Sequence, residues 1–159
     1  LLNLADYNTF EGHAAMRLEA LAGEYLSLNV LSGIKGWLQE GILMSPASII
    51  HSAWADLQEG SPPEEVAAKF HLTLVQWIGR QARYFGCEQL AFSGGVFQNA
   101  LLIGLIQSEL SSDFKLYFHQ ELSPNDEGVA YGQLALAFLE DRNLQPITES
   151  QKHVSGYSR

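Results

Sequence analysis

The chain has 159 residues, with 18 acidic against 9 basic side chains and a formal net charge of −9. Its 47% hydrophobic content is that of a folded chain with one core. The acidic excess argues against a nucleic-acid or anionic-membrane surface, which needs clustered Lys and Arg.

One thiol, Cys87, cannot form an internal disulfide, so nothing points to secretion. The apolar runs fall short of the roughly 20 residues that span a bilayer, and no signal peptide opens the chain. A cytoplasmic location is expected. The first residue is Leu rather than Met, which reads as the edge of a piece of a longer polypeptide.

In chain order, the first ten residues show no period, and a helix follows in which Ala14, Leu18, Leu21, Ala22 and Tyr25 recur at three- and four-residue steps. Residues 27–41 are open between two short helical turns and a hairpin, with Gly33 and Gly36 interrupting apolar residues. Ser45-Pro46 opens a helix through Ile49, Ile50, Ala53, Trp54 and Leu57 that stops at Gly60. The strongest element comes next. Ser61 as N-cap, Pro62 at the first helical position and Glu64 make an S-x-x-E capping box. Val66, Phe70, Leu74, Ile78 and Ala82 then form an apolar stripe, widened by Ala67, Trp77 and Phe85, and Gly86 ends the helix. Cys87 just beyond reads as a buried structural thiol.

A compact alternation follows. Residues 89–92 read as a short buried strand, 97–110 as a helix, 114–118 as a second strand and 128–139 as a last helix. Strand–helix–strand–helix with short links is a parallel βαβα unit. Two strands are too few for the helices present, so the chain reads as half of a larger α/β lobe. Residues 1–140 form that partial lobe, and 141–159 a polar tail.

Ser93-Gly94-Gly95-Val96-Phe97-Gln98-Asn99 lies at a strand-to-helix turn, where glycines permit close backbone approach and free helix-start amides favour phosphate. It is neither a Walker loop nor a Rossmann fingerprint, and on pattern alone a tight turn that binds nothing is the leading reading. Asn99 offers a side-chain hydrogen bond to a ribose or phosphate oxygen. At the matching turn after the second strand, Asp126 is either a helix N-cap or a metal-binding carboxylate. Both turns follow the C-terminal ends of adjacent parallel strands, where open α/β sheets bind ligands. His119 shares that edge, facing either a ligand or solvent, whereas His71 reads as a hydrogen-bonded packing residue. No motif builds a complete metal site, and no catalytic residue stands out.

Three segments taken together resemble one family: Thr9-Phe10-Glu11-Gly12-His13-Ala14-Ala15-Met16, the motif 93–99, and His119 through Pro124-Asn125-Asp126-Glu127-Gly128 to Gly132-Gln133. Their order and spacing resemble the C-terminal end of the hydrogenase-maturation carbamoyltransferases of the HypF type, and Lys69-Phe70-His71 with Thr73-Leu74 fits the same family. The resemblance implies the C-terminal half of an actin/Hsp70-type, Kae1-like nucleotide-binding lobe. It implies an ATP-dependent carbamoyltransferase that forms carbamoyl-adenylate from carbamoyl phosphate. The carbamoyl group would pass to the C-terminal Cys of a HypE-type partner, toward the cyanide ligand of [NiFe]-hydrogenase. Ser93, Gly94, Gly95 and Asn99 would then bind the nucleotide, Gly12 would line the nucleoside pocket, and Asp126 would hold a divalent metal: iron, zinc or magnesium.

Two positions depart from the family pattern: Ala100 stands where Arg is common, and Glu127 where Gly is common. The rest of the active site would lie upstream, so the isolated chain is expected to be inactive. A tRNA-modifying threonylcarbamoyl transferase of related fold is opposed by the −9 charge. A non-catalytic interaction module is the other alternative. No nucleic-acid or membrane partner is expected.

Overall fold

The computed structural model describes residues 2, 4, 7–38 and 45–142. Within them the elements are α1 (His13–Leu28), α2 (Pro46–Gln58), α3 (Pro63–Tyr84), β1 (Gln89–Phe92), α4 (Ala100–Leu110), β2 (Lys115–Phe118) and α5 (Glu127–Arg142). Single 3-10 turns occupy Leu31–Gly33 and Gly95–Gln98. The predicted α/β class with a parallel βαβα unit is the observed one: β1 and β2 pair in parallel, from Gln89 against Lys115 to Phe92 against Phe118.

The start of α3 corrects the sequence expectation. Pro62 precedes a second proline, and a residue before proline is sterically pushed out of the helical region. Pro62 accordingly sits at φ −65°, ψ 146°, and the helix opens one residue later, with Pro63 at its first position and no side-chain cap. Ser61 has a different task. Its N–H donates to Asp56 O and the Gly60 N–H donates to Leu57 O, with Gly60 at φ 91°, which closes α2 as a Schellman motif. Gly86 does the same for α3, with the Gly86 N–H on Arg83 O and the Cys87 N–H on Ala82 O. Cys87 is thereby carried out onto the surface and is exposed, not buried as expected.

The buried face of α3 is also not the stripe of its largest residues. Val66 and Ala82 are buried, but the other closed positions are Ala67, Ala68, His71, Leu72, Thr73, Val75 and Gly79. Two helices cover α3 on neighbouring arcs. Helix α1 meets it where Ala22, Ala67 and Ala68 are all at 0% exposure, because only methyl groups fit at that approach. Helix α4 meets it through Leu102, Leu105, Ile106 and Leu110, packed with Leu72, Val75 and Ala82. Gly79 sits at the tightest point: a Cβ there would lie 2.7 Å from Leu110 Cδ2. Leu74 and Ile78 flank the core half-buried, while Trp77 and Phe85 are exposed.

Residues 34–38 are irregular, with Gly36 and Trp37 against Thr73 of α3, so neither a second helical turn nor a hairpin forms in the described part of the 27–41 segment; residues 39–41 lie outside it. The Trp37 N–H donates to Thr73 Oγ1 and its Nε1–H to Asp56 Oδ2, both at 2.9 Å. Lys69 bridges Asp56 at 2.9 Å and Glu65 at 2.8 Å, fastening α2 to α3.

In β1 only Phe92 is buried, because one face of the two-stranded sheet is uncovered among the described residues. Phe92 stacks on Phe118 at 4.9 Å and meets Phe97 edge-on at 5.1 Å, anchoring the turn that follows β1. The second strand starts at Lys115, with Phe114 folded into the core just before it. The last helix starts at Glu127 and continues through residues 141–142; residues 143–159 of the expected tail lie outside the described residues. Its side chains over 127–139 are exposed apart from half-buried Gly128.

Ile106, at 0% exposure between α3 and α4, sets the stability of this packing. Ile106→Ala should cost about 2–5 kcal/mol, the range for a buried large-to-small change, measured by urea denaturation of the chain.

Candidate functional site

The two turns at the C-terminal edge of the sheet are bound to each other. The Gly94 N–H donates to Pro124 O at 2.7 Å, Gln98 Nε2–H to Ser123 Oγ at 3.1 Å, and Ser93 Oγ lies 3.0 Å from His119 Nε2. The motifs that the sequence placed on one sheet edge are thus one local structure, as a ligand edge requires. His119 serves this stitching and is exposed. Gly94 lies at φ 100°, ψ 157°, a conformation that glycine alone adopts readily. A Cβ on Gly94 or Gly95 would meet nothing within 4 Å, so the turn faces open space.

Its free donors are only partly where the sequence puts them. A continuous helix from Phe97 would offer its first amides to a phosphate, but Asn99 is extended at φ −71°, ψ 104° and the helix begins at Ala100. Two of the first α4 amides are already satisfied: Leu101 N–H donates to Glu19 Oε1 at 3.2 Å, and Leu102 N–H to Asn99 Oδ1 at 2.7 Å. The amides with no acceptor among the described residues are those of Gly95 and Val96, opening the 3-10 turn, and of Ala100, opening α4. Backbone donors of this kind suit an anion.

Asn99 is held from behind. Its Nδ2 lies 3.0 Å from His71 Nε2, and His71 Nδ1 lies 2.8 Å from Ala67 O. His71 is 2% exposed, so its packing role is confirmed, with the addition that it reaches the glycine turn. The Glu19 contact had no signal in the sequence, because it joins residues 82 positions apart.

Asp126 follows Pro124 by two residues and is exposed. It is not a side-chain cap: Asn125 Oδ1 accepts from the Glu127 N–H at 3.1 Å, and the Asp126 carboxylate has no hydrogen-bond partner among the described residues. Among those residues no three His, Cys, Asp or Glu side chains group to hold a metal, so Asp126 does not complete a metal site with them. Gly12, at φ 81°, starts α1 and is exposed. It connects to the other motifs through α1, where Glu19 meets Leu101 two turns on. The turns that hold Ser93, Gly94, Gly95 and Asn99 and that hold Asp126 are therefore brought together, and among the described residues no hydrogen bond joins Gly12 to them. The grooves lined by Phe114, Leu116 and Gln107, and by Leu4, Arg17 and Pro63, touch neither turn.

Burial pushes the His71 pKa below its ordinary 6.5, against the opposing pull of the Ala67 carbonyl and the Glu19 charge. The unfolded chain then binds a proton that the folded chain refuses. Stability is complete above pH 6.5 and falls as the pH drops below it, by up to about 1.4 kcal/mol per pH unit, until the folded-state pKa is passed. Urea midpoints between about pH 7.5 and 5 should show this slope, and His71→Leu should flatten it.

Residues 1–133 match the second subdomain of the carbamoyltransferase Kae1-like domain. The chain is 32% identical over 140 residues to carbamoyltransferase HypF of Synechocystis sp., covering 84% of this chain and 17% of that protein. It is 31% identical over 133 residues to the HypF of Rhodobacter capsulatus, covering 81% and 16%. Its fold is similar to that of a full-length HypF crystallised in a phosphate- and nucleotide-bound form, with TM-score 0.70, 28% identity, and 91% of this chain against 20% of that one. The HypF of T. kodakarensis superposes with TM-score 0.66 and 28% identity, covering 87% and 18%. The chain thus spans about a sixth to a fifth of these relatives, and the glycine turn, Kae1-like fold and sequence match together place it in the HypF carbamoyltransferase family.

Proposed function

We propose that this chain supplies one wall of the nucleotide site of an ATP-dependent carbamoyltransferase. The observation that carries the reading is the stitched pair of turns, with the Gly95 and Val96 amides uncommitted beside the Asn99 carboxamide. Backbone amides facing open space bind phosphate oxygens without a Lys, the residue whose absence separates this turn from a Walker loop. The relative solved with phosphate and nucleotide supports assigning that ligand class here.

In this reading Ser93, Gly94, Gly95 and Asn99 contact the nucleotide, and Gly12 lines the nucleoside end. The free carboxylate of Asp126 fits a divalent cation, which prefers oxygen donors, and its other ligands come from outside the described residues. A metal held there would neutralise phosphate charge. The reaction is the formation of carbamoyl-adenylate from carbamoyl phosphate and ATP. Transfer to the C-terminal Cys of a HypE-type partner follows, in cytoplasmic synthesis of the hydrogenase cyanide ligand. Among the described residues no helix is long and apolar enough to cross a membrane, which is compatible with that setting.

The half-site character is supported by α5, whose Val129, Leu134 and Phe138 are more than half exposed and offer a further lobe an apolar surface. Glu127 does not contradict the family reading, since an acidic residue in the first turn of α5 suits the helix dipole.

The test is a chimaera in which this chain replaces the matching segment of the Synechocystis relative. It should cleave ATP to AMP in the presence of carbamoyl phosphate, whereas the chain by itself should not turn over. Asp126→Ala should lower the chimaera's activity about tenfold or more, as lost metal support does. The same change should alter the stability of the isolated chain by less than about 0.5 kcal/mol, as expected of a surface residue that caps nothing. Full activity of the Asp126→Ala chimaera would remove the metal assignment.

A further inference from the structure

We propose that His71 is the positioning residue of the glycine turn. It fixes the Asn99 carboxamide in one orientation, leaving the turn with hydrogen-bond donors, and so selects an oxyanion of the phosphate class over a ligand that must donate. The choice of ligand class rests on the nucleotide reading above; the fixing of Asn99 does not.

Four groups form a hydrogen-bonded line: Leu102 N, Asn99 Oδ1 and Nδ2, His71 Nε2 and Nδ1, and Ala67 O, with separations of 2.7, 3.0 and 2.8 Å. The two ends are backbone groups whose roles cannot reverse. The Leu102 N–H can only donate, so Asn99 must turn its oxygen toward α4. The Ala67 carbonyl can only accept, so the His71 proton must sit on Nδ1 and Nε2 must accept. Between them only one order of protons satisfies every group: Asn99 donates through Nδ2 to a neutral His71. The reversed carboxamide would set N–H against N–H at α4 and oxygen against the lone pair at His71. Because His71 is 2% exposed, no water stands ready to repair either mismatch.

This polarity decides what the turn can offer. Asn99 keeps one Nδ2–H beyond the one given to His71, and in the same motif the Gly95 and Val96 amides stay open. All three are donors. A flipped Asn99 would add an acceptor and weaken the match to a phosphate oxygen. The raised cost of charging a buried imidazole keeps the ring in its accepting form.

The experiment is NMR on the 15N-labelled 159-residue chain. In the wild type, His71 should show a protonated Nδ1 and a bare Nε2, and the Asn99 side-chain amide should give one sharp, shifted pair. His71→Leu should collapse that shift and raise Leu102 amide exchange about fivefold, the factor matching a lost N-cap bond. His71→Gln, whose Oε1 restores an acceptor, should recover both. Asn99→Asp guards against a His71→Leu chain that fails to fold. It keeps the cap acceptor but sets a carboxylate oxygen against Nε2, so the ring should take up a proton at neutral pH. A proton on Nε2 in the wild type, or His71→Leu and Asn99→Asp spectra that leave Asn99 and His71 unchanged, would overturn the proposal.

Titration with Mg-ATP and with inorganic phosphate then reads the ligand arm. The Gly95 and Val96 amides should shift, with affinity falling about tenfold in His71→Leu and recovering in His71→Gln. If Asn99 responds to the His71 variants but neither probe moves Gly95 or Val96, the nucleotide reading fails together with the selection of phosphate. The fixing of Asn99 then stands.

Discussion

Helix α3 must accept two helices on adjacent arcs of its surface, and that steric constraint governs the rest of the structure. Helices approach closely only where side chains are small, so the α1 contact is made of Ala22, Ala67 and Ala68 and the α4 contact closes on Gly79. With both neighbours this near, the line between them on α3 is dry. His71 lies on that line and is left with two partners, a carbonyl one turn back and the Asn99 carboxamide at the start of α4. Packing that looks purely architectural therefore reaches the loop where a ligand would bind.

The same constraint explains how the glycine turn is held without a rigid loop sequence. Phe97 is pinned against Phe92, which is itself stacked on Phe118, so aromatic contacts hold the turn above the sheet. The Pro124 carbonyl takes the Gly94 amide and ties the second turn to the first. Glu19 and Asn99 satisfy the second and third amides of α4, and the Gly95, Val96 and Ala100 amides remain without an acceptor among the described residues. The carbamoyltransferase family match sets the chemical context, and these contacts explain how one segment of that family holds two backbone turns together at the sheet edge.

Much of the fold was legible because local rules agree with one another over α1, α2 and the β1–α4–β2 unit: period, N-cap serine, terminal glycines and short links all name the same elements. Ser61 shows where local rules compete. It satisfies the template of a capping box, yet the Pro62-Pro63 pair delays the helix and leaves Ser61 to close α2. Phe97–Asn99 shows a second limit. Apolar spacing runs smoothly from the turn into α4, and only the backbone of Asn99 reveals the break. Asp126 shows a third, since the neighbouring Asn125 takes the turn bond that statistics assign to an aspartate cap.

The sequence by itself determined the fold class, the parallel βαβ unit and the placing of residues 93–99 and 123–128 on one sheet edge, because each depends on local patterns and short links, and it determined the family through the order and spacing of short local motifs. Tertiary structure decided which face of α3 is buried, which amides are open, and what Asn99 does. Those depend on groups far apart in sequence, Glu19 with Leu101 and His71 with Asn99, meeting at part-buried contacts between helices. No period or spacing encodes such a meeting; it exists only once α1 and α4 have closed on α3.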